Sequence, residues 1–130
     1  MDLLTQEIRK ALLNNGAVPD GTDHKPVAKF FTPDAGATWL ITELDPDEQD
    51  VMFGLCDLGL GFPELGNVSL RELQSVRGKL GLPVERDLHF EATHTLSVYA
   101  EAARVAGGIV ENSKSLDEAA ANLAAENSRV

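Results

Sequence analysis

Four side chains between positions 85 and 91 belong to the types that carry chemistry, and they recur at every second position. They are Glu85, Asp87, His89 and Glu91. Because alternate residues of a β-strand point to the same face, a strand over residues 84–90 would gather them on one side. Two carboxylates beside an imidazole can hold a divalent metal ion or tune a general base. One hypothesis is therefore a metal-dependent hydrolase or nuclease with Asp87, His89 and Glu91 as catalytic residues.

His94 extends this hypothesis, because a turn of the chain would add a second imidazole to a metal site formed by Glu85, Asp87 and His89. The spacing of the two histidines differs, however, from the helical pair used by zinc hydrolases. A polar, solvent-facing strand edge explains the same pattern without any chemistry. The sequence also has no nucleophile elbow and no phosphate-binding loop. We expect no cofactor, and the enzyme is the alternative hypothesis rather than the favoured one.

A second feature is the segment between Lys29 and Arg71, which contains no lysine or arginine. Its eight carboxylates are Asp34, Glu43, Asp45, Asp47, Glu48, Asp50, Asp57 and Glu64. The rest of the chain is nearly balanced, so this segment supplies most of the net charge of -10. Concentrated negative charge repels polyanions and attracts basic proteins. We expect a protein partner with a basic surface, and neither a nucleic acid nor a membrane.

The predicted binding surface combines part of this charge with nearby aromatic side chains. Its members are Glu43, Asp45, Asp47, Glu48, Asp50, Trp39, Phe62 and Glu64. The consecutive residues Phe30 and Phe31 point to opposite faces of a predicted strand. Either helices cover both faces of the sheet, or one ring is exposed as a contact. Core packing is the favoured role of the aromatic residues, and an exposed interface is the alternative.

The elements that must position these residues indicate an α+β fold, with an antiparallel meander of about four strands packed with N-terminal, middle and C-terminal helices. Segments rich in β-branched or aromatic residues predict strands at 27–32, 38–44, 51–58 and 84–90. Helical spacing and capping patterns predict helices at 2–14, at 69–78, at about 96–105 and from Ser115 to about Ala125. Residues 59–66 are predicted to be a connection. Residues 1–106 form one predicted domain, and 107–130 a linker with an alanine-rich helix or a mobile tail.

Two single residues add structural expectations. Arg86 falls on the apolar side of its predicted strand and needs an anionic partner, for which Glu43 or Glu64 is expected. Cys56 is expected to be a buried structural residue, with the neighbouring Asp57 raising the pKa of its thiol. As the single cysteine of the chain, Cys56 is typical of a reducing compartment. The N-terminal residues do not have the pattern of a signal peptide, so a cytoplasmic location is predicted.

Several short motifs occur in a recognisable order along most of the chain. They are Leu3-Leu4-Thr5, Glu7-Ile8-Arg9, Lys29 to Asp34, Trp39, Thr42 to Asp45, Phe53-Gly54-Leu55, Pro63 to Gly66, Ser69 to Leu73 and Leu82 to Phe90. This combination, over residues 3–93, resembles a family of short bacterial proteins known as domain of unknown function 2958, which is common on plasmids and other mobile elements. The resemblance implies a bacterial cytosolic protein in that setting and implies no particular chemistry.

Charge and resemblance together favour an accessory protein of a plasmid or mobile element that acts by binding another protein. A narrower version is an anti-defence protein whose carboxylates imitate the phosphates of DNA. The sequence leaves the oligomeric state open, with an exposed aromatic interface as one route to an oligomer.

Overall fold

A computed structural model of the chain describes residues 2–19 and 21–128. Within these residues the fold is α+β, with one open five-stranded antiparallel sheet and four helices. The elements are α1 (Gln6–Gly16), β1 (Ala28–Phe31), β2 (Thr38–Leu44), β3 (Val51–Asp57), β4 (Glu64–Ser69), α2 (Leu70–Ser75), β5 (Glu85–Arg86), α3 (Leu96–Ala106) and α4 (Ser113–Asn127). None of these helices is long and apolar enough to cross a membrane.

Strands β1 to β4 form an antiparallel meander in which each strand pairs with the next, and the first three of them are the strands that the sequence predicts there. The order across the sheet is β4-β3-β2-β1-β5. The fourth strand of the meander is β4, in a segment for which the sequence predicts a connection followed by a helix. Its residues include Gly66 and Asn67, which have weak strand preferences, so the usual alternation of apolar side chains is absent.

The last strand, β5, joins the sheet beside β1, on the edge opposite β4. Only Glu85 and Arg86 pair, with Phe31 and Phe30 respectively. The chain between α2 and β5 runs on the same side of the sheet as α1 and α2, where Val76 and Val84 pack into the core on that side. The prediction of a strand over 84–90 is therefore wrong outside these two residues.

Helices cover both faces of the sheet, which resolves the alternatives raised by Phe30 and Phe31. The lower core lies between the sheet and helices α1 and α2, and the upper core lies between the sheet and helices α3 and α4. Fully buried members of the lower core include Leu12, Phe30, Ile41, Met52 and Leu73, and those of the upper core include Leu40, Leu55, Tyr99, Ala103 and Leu116.

Side-chain caps fix where three helices begin. The hydroxyl of Thr5 accepts a hydrogen bond from the Ile8 amide at the start of α1, and Ser69 caps α2 as its sequence predicts. The cap of helix α4 lies three residues earlier than predicted, at Asn112 rather than Ser115. Leu116 then inserts into the upper core and docks this helix against α3.

Candidate functional site

The strand that was predicted to carry the metal and acid–base face ends at Arg86, and the chain leaves the sheet at Asp87. Asp87 and His89 belong to a turn in which the Asp87 carboxylate accepts a hydrogen bond from the His89 amide at 2.9 Å. Strand alternation has ended before this turn, so Glu85, Asp87, His89 and Glu91 do not share a strand face.

Asp87 instead forms a salt bridge with Lys29. The Lys29 ammonium lies 3.4 Å from the Asp87 carboxylate and 2.6 Å from the Glu111 carboxylate. The His89 amide, and then the charge of Lys29, hold the pKa of Asp87 below its usual value. Burial alone would lower the pKa of Lys29, but Glu111 and Asp87 together raise it. These contacts connect β1 to the segment that precedes α4.

His94 lies in a separate cluster of polar groups. Its Nδ1 atom is 2.7 Å from the Thr93 hydroxyl, and its Nε2 atom is 2.9 Å from the Asp117 carboxylate on α4. Over residues 2–19 and 21–128, no three His, Cys, Asp or Glu side chains converge in a way that could hold a metal ion. Asp87 and His94, two residues of the enzyme hypothesis, thus have their partners in different clusters.

The acidic segment divides into carboxylates that are used inside the fold and carboxylates that face solvent. Asp34 accepts hydrogen bonds from the amides of Leu80 and Leu82, at 2.7 and 3.2 Å. Asp57 is buried and accepts a hydrogen bond from the Ile109 amide at 2.9 Å. Both carboxylates therefore fasten loops that are distant in the chain.

Asp50, a half-exposed member of the predicted binding surface, is a third carboxylate that accepts hydrogen bonds from a neighbouring element. Its Oδ2 atom accepts a hydrogen bond from the Ser69 hydroxyl at 2.5 Å, and its Oδ1 atom accepts one from the Arg71 amide at 2.8 Å. These two bonds hold the pKa of Asp50 below its usual value. Asp50 thus connects the β2–β3 turn to the start of α2.

A cleft of about 890 Å³ lies at the end of the sheet where β2 turns into β3. Its charged lining is Asp23, Glu43, Asp45 and Asp47, with His24 beside them. Phe53, Leu65 and Asn67 line it from β3 and β4, and Leu96 and Ser97 line it from the start of α3. None of the described residues that line it is a lysine or arginine. This depression is named the acidic cleft, and it brings together three of the predicted binding residues.

A β-bulge turns the Glu43 side chain toward the acidic cleft. Between Ile41 and Glu43 the pairing with β3 shifts register, which leaves Thr42 as an extra residue in β2. Strict alternation would place Glu43 on the side of Ile41, in the lower core, and the extra residue moves it to the opposite face. The Asn15 side chain donates a hydrogen bond to the Thr42 carbonyl at 2.9 Å, and the Thr42 hydroxyl donates one to the Phe53 carbonyl at 3.2 Å.

The loop before β1 contributes another part of the lining and is fastened to the start of α3. Asp23 accepts hydrogen bonds from the Ser97 amide at 3.1 Å and the Ser97 hydroxyl at 2.5 Å. The Leu96 amide donates to the His24 carbonyl at 2.8 Å. Thr95 makes no side-chain cap, so Asp23 supplies one from outside the helix. Burial alone would raise the pKa of Asp23, but the hydrogen bonds from Ser97 outweigh burial and lower it.

Sequence reasoning missed Asp23 and His24 as lining residues of the cleft. Both belong to a loop rich in glycine and proline, and Asp23 is 74 positions away from Ser97 in the chain. No local pattern connects two segments that are so far apart, so only the tertiary contact reveals the role of this loop.

The remaining predicted binding residues lie apart from the acidic cleft or inside the protein. Trp39 is buried in the lower core, which favours the core-packing role among the two alternatives for the aromatic residues. Glu48 is exposed in the β2–β3 turn. Phe62 is 78% exposed in the connection between β3 and β4, and Glu64 is the first residue of β4.

A second depression, of about 530 Å³, lies between α3 and the start of β4. It is named the apolar groove, and its apolar lining is Leu55, Pro63, Leu65, Ala100 and Leu123. Glu64 and the ion pair between Glu101 and Arg104 also line it. Leu65 and Ser97 line both depressions, so the apolar groove continues directly into the acidic cleft.

Arg86 has a different partner from the one predicted. Its guanidinium donates hydrogen bonds to the main-chain carbonyls of Asp2 and Leu3, both at 2.8 Å. The expected pairing with Glu43 or Glu64 is therefore wrong. Carbonyl oxygens satisfy this half-buried charge and fasten the segment before α1 to β5.

Cys56 is half-buried rather than fully buried. Burial, and then the charge of Glu64 on the neighbouring strand, raise the pKa of its thiol. The predicted direction of the shift is confirmed, but the carboxylate responsible is Glu64 rather than the adjacent Asp57. A thiol with a raised pKa is a poor nucleophile.

Fold and site together define a small α+β protein with an acidic cleft between the open end of a sheet and the start of a helix. A family model described as "Protein of unknown function (DUF2958)" matches residues 3–110, and the chain belongs to this family. The match confirms the resemblance and extends beyond residue 93, ending before α4. Comparisons with curated proteins and with solved structures found no match.

Proposed function

We propose that the chain is a non-enzymatic binding protein whose acidic cleft receives a lysine- or arginine-bearing segment of a partner protein. The observation that carries this proposal is the lining of the cleft, where four carboxylates meet and no described lining residue is a lysine or arginine. Carboxylates around a shared space raise the local negative potential and attract cationic groups. A lysine or arginine side chain would satisfy them through charge-assisted hydrogen bonds.

Local structure positions three of these carboxylates before any partner arrives, which supports the proposal. The bulge orients Glu43, and Ser97 fixes Asp23. The Oδ1 atom of Asp45 accepts hydrogen bonds from the amides of Asp47 and Glu48, at 2.8 and 3.3 Å. Groups that are already ordered lose less conformational entropy on binding, so more of the interaction energy appears as affinity.

We also propose the setting of this binding: the cytosol of a bacterium, in the service of a plasmid or other mobile element, with a host or element-encoded protein as partner. The motif resemblance and the single cysteine support this part. The net charge of -10 supports a protein partner over a nucleic acid. An anti-defence role by imitation of DNA is the narrower version, and it would use the carboxylates of the acidic cleft together with Glu48.

The residues of the metal-dependent alternative have other partners in the fold. Among the described residues, Asp87 is paired with Lys29, and His94 is hydrogen-bonded to Thr93 and Asp117. No contact there favours a shared metal site.

The test is capture of partner proteins from a bacterial lysate by immobilised protein. The cleft variant combines Glu43→Gln, Asp45→Asn and Asp47→Asn, which keep the side-chain shapes and remove the charges. The control variant neutralises the same number of exposed carboxylates elsewhere, by Glu91→Gln, Glu118→Gln and Glu126→Gln. We expect the wild type and the control to capture the same proteins at about 0.05 M salt and to release them at about 0.5 M, because salt screens exposed charges.

The cleft variant should capture none of these proteins even at low salt. Equal capture by both variants would show that the cleft carboxylates have no special role and would refute the proposal. Capture that does not change with salt would refute the electrostatic basis of the proposal.

A further inference from the structure

The outer edge of β4 is open. β4 is the terminal strand of the sheet and pairs with β3 in unbroken register along its whole length. Its residues Glu64, Leu65 and Asn67 are exposed. An edge strand directs part of its N–H and C=O groups away from the sheet, where another strand can pair with them. Proline and bulges commonly protect such edges, and β4 contains neither.

Helix α3 leaves the upper face of β4 uncovered, and the apolar groove lies in this space. Leu65 is 50% exposed and sits opposite Leu55, which is buried in the upper core. Ala100 of α3 and Leu123 of α4 line the other side of the groove. A strand added along β4 would direct every second side chain toward this groove.

The acidic cleft lies one side-chain position further along the same face. Asn67 follows Leu65 by two residues, faces the same side and lines the acidic cleft. Side chains two positions apart on a strand are about 7 Å apart, so one extended segment spans both depressions.

We propose that the partner segment binds as a sixth strand along β4, with an aliphatic side chain in the apolar groove and a lysine or arginine side chain two positions along in the acidic cleft. The inference rests on the proposed function and adds the conformation and sequence pattern of the segment. Charge repulsion disfavours a second copy of the chain as the strand that pairs with β4. Each copy carries a net charge of -10 and would bring its own Glu64 to the shared edge.

The test uses a short capped peptide in which every second residue is threonine and the intervening residues alternate between valine and lysine. A control peptide has the same composition with valine and lysine on opposite faces. We expect the first peptide to bind about tenfold more tightly than the control. Its nuclear magnetic resonance titration should shift the amide signals of β4.

Main-chain pairing is tested with two further versions of the first peptide. One is N-methylated at the threonines, and the other at the valines and lysines. Because a strand pairs through one edge at a time, only one of the two should lose binding, by about tenfold or more.

The variant Leu65→Glu distinguishes strand addition from simple charge attraction. It adds a negative charge beside the acidic cleft, so attraction by charge alone would strengthen binding of the basic peptide. A carboxylate in the apolar groove opposes burial of the valine, so we expect binding to weaken about tenfold. The matched control is Leu80→Glu, at a leucine that is 80% exposed and beside Asp34, and it should bind as the wild type does.

The outcomes separate this inference from the proposed function. If both N-methylated peptides bind equally and Leu65→Glu binds more tightly, strand addition is refuted, while loss of binding in the cleft variant would still support the proposed function. If the cleft variant captures the same lysate proteins as its control, the proposed function itself fails. A concentration-dependent dimer that Leu65→Glu abolishes would assign the edge to a second copy and refute the partner strand.

Discussion

At the residue scale, the close approach of β2 and β3 depends on Gly54. A Cβ atom at this position would lie 2.0 Å from the main-chain oxygen of Leu40. Its cross-strand neighbour Gly66 provides a natural comparison, because a Cβ atom there would meet nothing within 4 Å. The two glycines are cross-strand partners, Gly54 in an inner strand and Gly66 in the edge strand β4.

We therefore expect Gly54→Ala to lower the free energy of unfolding by about 3 kcal/mol, because the backbone of β2 must move to admit the methyl group. Gly66→Ala should be neutral or stabilise by up to about 1 kcal/mol, because alanine restricts the unfolded chain. Urea denaturation of both variants measures the difference. Similar midpoints for the two would show that the spacing of β2 and β3 adjusts without loss.

The roles of single carboxylates were only partly predictable. The charge pattern groups Glu43, Asp45 and Asp47 because they surround one local turn, and all three line the acidic cleft. It did not distinguish them from Asp50 or Asp57, whose partners are Arg71 and Ile109. A carboxylate that accepts distant amide hydrogen bonds looks the same in sequence as one that faces solvent.

At the scale of the elements, Asp50 connects the β2–β3 turn to α2, and this connection should depend on pH. The pKa of Asp50 lies below 3.8, its usual value, because Ser69 and the Arg71 amide bind the ionised form. A carboxyl group with a lowered pKa in the folded state stabilises the fold above its unfolded pKa. That stabilisation is lost as the pH falls through the folded pKa.

The variant Asp50→Asn tests this pH dependence, because it keeps the shape of the side chain and removes its charge. The difference in unfolding free energy between wild type and variant should be constant from about pH 6 to 7 and should shrink below about pH 5. Urea denaturation across this range measures it, and Ser69→Ala with the double variant completes a mutant cycle. A coupling between Asp50 and Ser69 that stays the same at low pH would contradict the assignment.

Elements with strong local signals were predictable, and those defined by distant pairing were not. The β1–β2 and β2–β3 hairpins follow from turn residues between alternating segments, and α2 follows from the Ser69 cap. Strand β4 lacks such a signal, since it is an exposed edge with Gly66 in its middle. The pattern from Glu85 to Glu91 alternates as a strand should, but the Asp87 side chain closes a turn instead.

At the scale of the whole molecule, the two cores share one sheet. Buried residues on one face of β1 to β3 belong to the lower core, while Leu40 and Leu55 belong to the upper core. The segment after α3 is tied to this sheet, because the buried Asp57 binds the Ile109 amide. Beyond it, Leu116 is fully buried against α3. This arrangement favours a single cooperative unit over a domain of 1–106 followed by a mobile tail.

Cooperative unfolding can be tested with two probes that the chain already contains. Trp39 is the only tryptophan and reports on the lower core through its fluorescence, while far-ultraviolet circular dichroism includes α3 and α4 above the sheet. If the cores unfold together, the two transitions in urea should coincide. Leu116→Ala should lower the free energy of unfolding by about 2–5 kcal/mol, because it leaves a cavity in the upper core. Both midpoints should therefore move together to lower urea concentrations.

A mobile tail would give a different result. Helical signal would then be lost at lower urea than the Trp39 signal, and Leu116→Ala would leave the Trp39 transition where it is. Asp57 and Leu116 connect the last helices to the same sheet that carries Trp39. The lower core should therefore not stay folded at urea concentrations that unfold the upper core.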